Sequence, residues 1–242
     1  MHHAPPAVNC PCDRTCRALF ARHPGETSGL PAPPRRLTAG GTGGIRSPSV
    51  RLPVSFYARP ALTVARELLG THLIVDEGGW RRVGRIVETE AYVGEHDLAC
   101  HAAKGRTPRT EVLFGPPGRA YVYLIYGMYH CFNVVTDVDG VASAVLVRAV
   151  EPVEGLPARA RTDGPGRLCR ALGLTLAHNR EDLQGARLYL EAGTPVPEDQ
   201  VARGPRIGVD YAGEWALEPY RLWLRGSQHV SRPPSSRRRE RA

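Results

Sequence analysis

From Leu52 onward the chain alternates short apolar runs with clear punctuation, and the spacing of those runs predicts the elements. Pro60 at a first-turn position, Leu62, Ala65, Leu68 and Leu69 on one face, and Gly70 as a stop together predict an amphipathic helix. The runs 71–75 and 81–92, separated by the turn Asp76-Glu77-Gly78-Gly79, predict a hairpin. A short helix is expected over 98–103, then a polar, Gly/Pro-rich loop over 104–118. Strands are expected at 120–125, 129–136 and 142–150, the last two joined by Asp137-Val138-Asp139-Gly140. A helix over 166–172 and strands over 186–191, 206–209 and 220–224 complete the pattern. Regular strand–helix alternation is missing, which argues against a doubly wound sheet. The expected fold is α+β: one domain around a curved, mainly antiparallel sheet with flanking helices.

With 242 residues, 42% of them apolar and 23% charged, the chain can bury one sizeable core or at most two small ones. Its 22 prolines and 26 glycines crowd the first fifty residues, which lack sustained apolar periodicity. Residues 1–50 are therefore expected to be a disordered extension, 51–230 the folded domain, and 231–242 a basic disordered tail.

The formal charge of +8 invites a nucleic-acid reading, so its distribution matters. Residues 1–50 hold six Arg against two acids, and 231–242 five Arg against one. The remaining segment carries 21 basic and 21 acidic groups, so any basic face there must be local. The Arg-rich tail could add sequence-blind attraction to phosphates, although a solvated tail is the commoner meaning of such a run. Lys104 is the only lysine, which leaves few amines for Schiff-base chemistry.

Six cysteines do not form a disulfide framework in a chain this large. Cys10, Cys12 and Cys16 with His23 nearby could hold zinc but lack paired C-x-x-C spacing, so no metal site is expected. Cys100, Cys131 and Cys169 sit in apolar company and read as reduced core thiols. The longest uncharged stretch, 120–136, contains four tyrosines, His130, Asn133 and Gly127, which suits two strands about a break rather than a membrane helix. No secretory apolar region follows Met1, so a cytoplasmic protein is expected.

Chemistry concentrates in V-E-T-E-A-Y, residues 87–92. Strand alternation puts Glu88, Glu90 and Tyr92 on one face, either a solvated edge or a functional one. Tyr121, Tyr123 and Ile125 alternate with Val122, Leu124 and Tyr126 up to the break at Gly127. These rings could pack a sheet, stack on a base or wedge into a base step.

The segments R-I-V-E-T-E-A-Y, T-P-R, Y-V-Y-L-I-Y-G-M-Y-x-C-x-N, V-L-V-R-A-V-E-P, G-P-G-R-L-C-R-A-L and R-I-G-V-D-Y-A-G-E-W closely resemble the alkyladenine (3-methyladenine) DNA glycosylase family. The resemblance spans residues 52–231 in the family's order. It implies a barrel-like sheet of the kind found in formyltransferase C-terminal domains. It also implies a monofunctional enzyme that flips a damaged purine out of double-stranded DNA and hydrolyses its N-glycosidic bond. Alkylated or deaminated purines would be its substrates: 3-methyladenine, 7-methylguanine and hypoxanthine. The family's general base falls on Glu90. Arg148 and the backbone carbonyl of Ile207 match further contacts of the attacking water. Tyr92, His101 and Tyr123 match the rings that sandwich the base, and Asn133 matches the screen against an exocyclic 2-amino group. Tyr126 matches the intercalating wedge.

Tyr129 and Met128 are expected as lesser minor-groove contacts, Arg106 and Arg109 as phosphate contacts from their loop, and Gly166 and Arg167 as phosphate partners at a helix start. No cofactor is expected, a monomer suffices, and a nucleoid-associated location follows. The residues leave plainer readings open: a packing role for His101, a pairing of Arg148 with Glu151 or Glu154, and a non-catalytic module of the same fold binding damaged DNA or structured RNA. The loop G-R-T-P-R is one residue shorter than the family pattern, and His130 stands where a large apolar residue is expected.

Overall fold

The computed structural model of the protein describes residues 50–157 and 159–231. The N-terminal cysteine cluster and the Arg-rich tail from residue 232 lie outside the described residues. Among the described residues, eight strands form one sheet. They are β1 (His72–Glu77), β2 (Trp80–Tyr92), β3 (Ala120–Ile125), β4 (Tyr129–Thr136), β5 (Ser143–Glu154), β6 (Leu188–Glu191), β7 (Val201–Gly204) and β8 (Arg221–Leu224). Three α-helices accompany them: α1 (Val54–Tyr57), α2 (Ala61–Leu68) and α3 (Pro165–Leu172). All the strand pairings are antiparallel, and the main path runs β3-β4-β5-β2-β1-β6.

Strand β2 makes this sheet curl. It is 13 residues long, and on one edge it pairs first with β1 and then, from Glu88 to Glu90, with β8. Along its other edge it follows β5, with register shifts that leave Val87 on β2 and Arg148 on β5 without a direct partner. Such bulges bend a ladder and re-aim side chains. Here they flank Glu88.

The two faces of β2 have different fates. Val87 and Ala91 enter the main core, where α2 lies, and the Thr89 hydroxyl donates to the Ala65 carbonyl at 2.9 Å. Glu88, Glu90 and Tyr92 point the other way, as strand alternation predicts. The buried positions of α2 are Ala61, Val64, Ala65 and Leu68, spaced to form a single stripe. Leu62, assigned to that stripe from the sequence, is exposed, and Leu69 is buried just beyond the helix end. Helix α3 has Pro165 at its start and a left-handed Gly173 at its end, whose N–H closes on the Cys169 and Arg170 carbonyls.

Other boundaries shift, among them the hairpin turn, which is Gly78-Gly79 alone because the β1–β2 ladder runs on to Glu77 and Trp80. The strand expected at 206–209 is a loop; the ladder lies earlier, at β7, because Gly208 adopts φ +79° and Arg206 turns into the interior. Strand β5 continues to Glu154, and the short helix near 98–103 is a 3₁₀ turn, His101–Lys104. Among the described residues, no helix is long and apolar enough to cross a membrane.

Candidate active site

A cavity of about 380 Å³ opens between β2, β3–β5 and the loop after Arg206. Tyr92, Arg148 and Ile207 line it; Tyr92 and Ile207 donate hydrogen bonds to Glu90 and Arg148 pairs with it ionically, and Glu90 lies fully buried behind them. The Ile207 N–H reaches Glu90 Oε1 at 2.8 Å and Arg148 Nη1 reaches the same oxygen at 3.1 Å. The Tyr92 hydroxyl donates to Oε2 at 2.9 Å. Burial, reinforced by the charge of Glu90, raises the Tyr92 pKa well above the ordinary phenol value, so the hydroxyl keeps the proton it donates. A carboxylate offers about four acceptor sites, so two hydrogen bonds and an ion pair leave it with capacity to take a further proton.

Glu88, two residues earlier and equally buried, is differently placed. Its Oε1 accepts from Arg148 Nε at 3.1 Å, Arg221 Nε at 2.6 Å and the Ser231 hydroxyl at 2.8 Å. Its Oε2 accepts from the Ser231 N–H at 2.7 Å. Four donors saturate it. Arg148 therefore spans both carboxylates; burial works against its charge, but Glu90 and Glu88 more than compensate and raise its pKa. The alternative partners suggested by the sequence are engaged elsewhere: Glu151 with Arg85 and Glu154 with Arg81.

Aromatic side chains form the walls. The His101 ring lies 4.7 Å from that of Tyr123, edge to face, and its Nδ1 is 2.9 Å from the Tyr121 hydroxyl. Burial, with the charges of Arg109 and Lys104 adding, lowers the His101 pKa to about 4, so the imidazole is neutral near pH 7. Asn133 is buried and fixed by Nδ2 donating to the Tyr121 carbonyl at 3.0 Å. Cys100 and Cys131 also line the cavity; burial raises both thiols, Cys100 to about 11, and both are free, as is Cys169.

At the lip, Tyr126 stands 82% exposed between β3 and β4, with Met128 at 65% and Tyr129 at 49%. Tyr126 has φ +53° and Gly127 φ +68°, so a bulky residue occupies the left-handed region where glycine is at home. Tyr129 rests against α3, where a Cβ on Gly166 would come within 3.0 Å of its own Cβ. Arg109 joins the lip with its guanidinium 5.1 Å from the Tyr123 ring centroid. Arg106 is set apart, over Phe114 and paired with Glu111, and Arg167 is held by Asp163. Glu90, Arg148, Ile207, Tyr92, His101, Tyr123, Asn133 and Tyr126 are thus brought together; Arg106 and Arg167 are not.

The structure adds residues that sequence reasoning did not select. Tyr121 carries the same alternation as Tyr123 and could have been read from it. Arg206 precedes Ile207, forms a fully buried pair with Asp97, and lies 4.8 Å from the Tyr92 ring centroid. It braces the two neighbours that donate to Glu90. Among the described residues, no group of three or more His, Cys, Asp or Glu side chains is arranged to hold a metal ion.

Residues 55–228 match the family model described as methylpurine-DNA glycosylase (MPG). The chain is 76% identical over 189 residues to a protein of Myxococcus xanthus (strain DK1622) named as a candidate 3-methyladenine DNA glycosylase, covering 78% of this chain and 97% of that protein. A protein of the same name from Anaeromyxobacter dehalogenans (strain 2CP-C) is 56% identical over 185 residues, with 76% and 88% covered. Another from Methanocella arvoryzae is 51% identical over 193 residues, with 75% and 96% covered.

Proposed function

The chain belongs to the methylpurine-DNA glycosylase family, and on that premise we propose how its cavity divides the work of cutting an alkylated purine from its deoxyribose. The activity is that of a 3-methyladenine DNA glycosylase in base excision repair of alkylated purines. The observation that carries the assignment of roles is the buried Glu90, held by two hydrogen bonds and the Arg148 ion pair, with all three partners in the wall of one aromatic cavity.

Cleavage of an N-glycosidic bond builds positive charge on the sugar, in an oxocarbenium-like transition state. Glu90 is the carboxylate that stabilises this charge and takes a proton from the attacking water. Arg148 and the Ile207 amide orient it, and the Ile207 carbonyl is assigned a contact with the water. An alkylated cationic purine leaves without being protonated, so one carboxylate suffices for it.

Tyr92, His101 and Tyr123 sandwich the extruded base. A neutral His101 lets electron-rich rings attract a cationic purine without an opposing charge, each favourable contact contributing about 0.5–2 kcal/mol. Asn133 screens against an exocyclic 2-amino group. Tyr126 fills the gap left in the duplex, with Met128, Tyr129 and Arg109 beside it, while Arg106 and Arg167 contact phosphates further out. Extrusion costs a few kcal/mol and least for a damaged pair, so the duplex shares in the selection. Lys104 is not in the cavity wall, and the backbone is left uncut beside an abasic site.

The test is release of methylated bases from a methylated duplex, with abasic sites revealed by alkali and borohydride trapping run in parallel. Released 3-methyladenine with no trapped adduct is the expected result. Tight binding to damaged DNA without release would overturn it in favour of a non-catalytic module, and a trapped adduct would refute the monofunctional assignment.

A further inference from the structure

Glu88 is a fully buried carboxylate to which the mechanism above gives no part, yet it accepts four hydrogen bonds. Its donors come from distant places in the chain: Arg148 on β5, Arg221 on β8, and both the amide and the hydroxyl of Ser231. Arg148 grips it through Nε, at 3.1 Å, and reaches Glu90 through Nη1, also at 3.1 Å. A guanidinium is a rigid planar fork, so fixing one nitrogen fixes the aim of the others. The bulge that leaves Arg148 without a direct ladder partner frees it for this bridge.

We propose that Glu88, anchored by Arg221 and Ser231, is a positioning residue that aims Arg148 at Glu90 and sets how much of its charge Glu90 receives. The proposal rests on Glu90 acting as the base. Glu88 touches no substrate; it acts through Arg148.

The consequence is electrostatic and has a sign. Other groups that act on Glu90 are Tyr92 on β2, Tyr123 on β3, Cys131 on β4, Arg148 on β5 and Arg206 in the loop after β7. Glu88 competes with Glu90 for Arg148 and adds a like charge nearby. Removing the charge of Glu88 gives Glu90 the whole guanidinium, making it easier to ionise and a weaker base. The Ser231 hydroxyl donates to Glu88 at 2.8 Å and accepts from Arg148 Nη2 at 3.3 Å; removing it leaves the carboxylate short of a donor and the guanidinium short of an acceptor, so the two draw together and Glu90 becomes harder to ionise.

The experiment measures single-turnover release of 3-methyladenine from duplex DNA, with enzyme in saturating excess, as a function of pH. Wild type, Glu88→Gln, Ser231→Ala and Glu90→Gln are compared, with duplex affinity measured alongside. In Glu88→Gln the plateau rate should fall about tenfold, duplex affinity should stay within about twofold, and the acid limb should move about one unit lower. In Ser231→Ala the limb should move higher, by less. Opposite movements are the signature, because a purely structural role would weaken both variants without moving the limb or would move both limbs the same way; either result overturns the proposal. If Glu88→Gln does not fold, a limb unmoved or lowered in Ser231→Ala overturns it. Glu90→Gln separates the two levels: if that variant retains activity, the base assignment itself fails, whereas its inactivity with unmoved limbs in the others defeats only the role of Glu88.

Discussion

At the floor of the cavity Glu88, Glu90 and Arg148 are buried and every carboxylate oxygen receives a hydrogen bond, whereas at its lip Tyr126, Met128 and Tyr129 stand in solvent on a turn with two successive positive φ values. The floor is satisfied from within the protein. The lip carries strain and exposed apolar surface whose compensation must come from a partner. In the roles proposed for them, the floor groups are held ready by the fold before a substrate arrives, and the lip residue that would enter the duplex is held clear of it. Single substitutions should therefore separate folding, chemistry and duplex binding.

The largest effect is expected beside the floor. Asp97→Ala leaves Arg206 buried without its carboxylate, and such a break costs about 3–5 kcal/mol. Urea unfolding should show that loss; a change below about 1 kcal/mol would mean that the pair is not structural and that the floor is held no more firmly than the lip.

Tyr126→Gly should show the reverse. Loss of a stacking ring weakens nucleic-acid binding by about 1–3 kcal/mol, while glycine relieves the positive φ, so the folded protein should be no less stable. Duplex titration and thermal unfolding of one preparation would check both; unchanged affinity would remove the wedge from the account.

A smaller effect concerns protonation in the wall. Burial comes first in lowering the His101 pKa to about 4 and Arg109 second, so Arg109→Ala should raise it toward the ordinary value without restoring it. Titration of the imidazole by NMR reads this directly. Acidification then places a cation against a cationic purine, and affinity for such a lesion should begin to fall at higher pH in the variant than in wild type. The smallest change belongs to Arg106→Ala, whose exposed pair with Glu111 contributes no more than about 1 kcal/mol. Duplex affinity should drop slightly and mainly at low salt.

These regions also differed in legibility. Alternation in V-E-T-E-A-Y placed Glu88, Glu90 and Tyr92 on one face, and the structure keeps them there. Nothing local could tell that Glu88 is saturated, because Arg221 and Ser231 lie 133 and 143 residues away. Arg148 likewise bypasses its sequence neighbours Glu151 and Glu154 for acids on another strand. The loop at 206–209 read as a strand because Ile207 and Val209 alternate like one, but a buried guanidinium paired with Asp97 holds it elsewhere. Short-range period carried the sheet and the tyrosines of the wall; His101 was placed there only by the family resemblance, and the charge network depended on tertiary closure.

In the proposed division of roles Glu90, not Glu88 or the aromatic wall, performs the chemistry. The direct measurement is single-turnover base release from a methylated duplex by wild type and Glu90→Gln, with duplex affinity determined for both. The predicted result is a loss of at least about 10²-fold in rate, the contribution of a positioned general base, with affinity within a few-fold of wild type. A Glu90→Gln variant that releases the base at the wild-type rate would show that Glu90 is not the base.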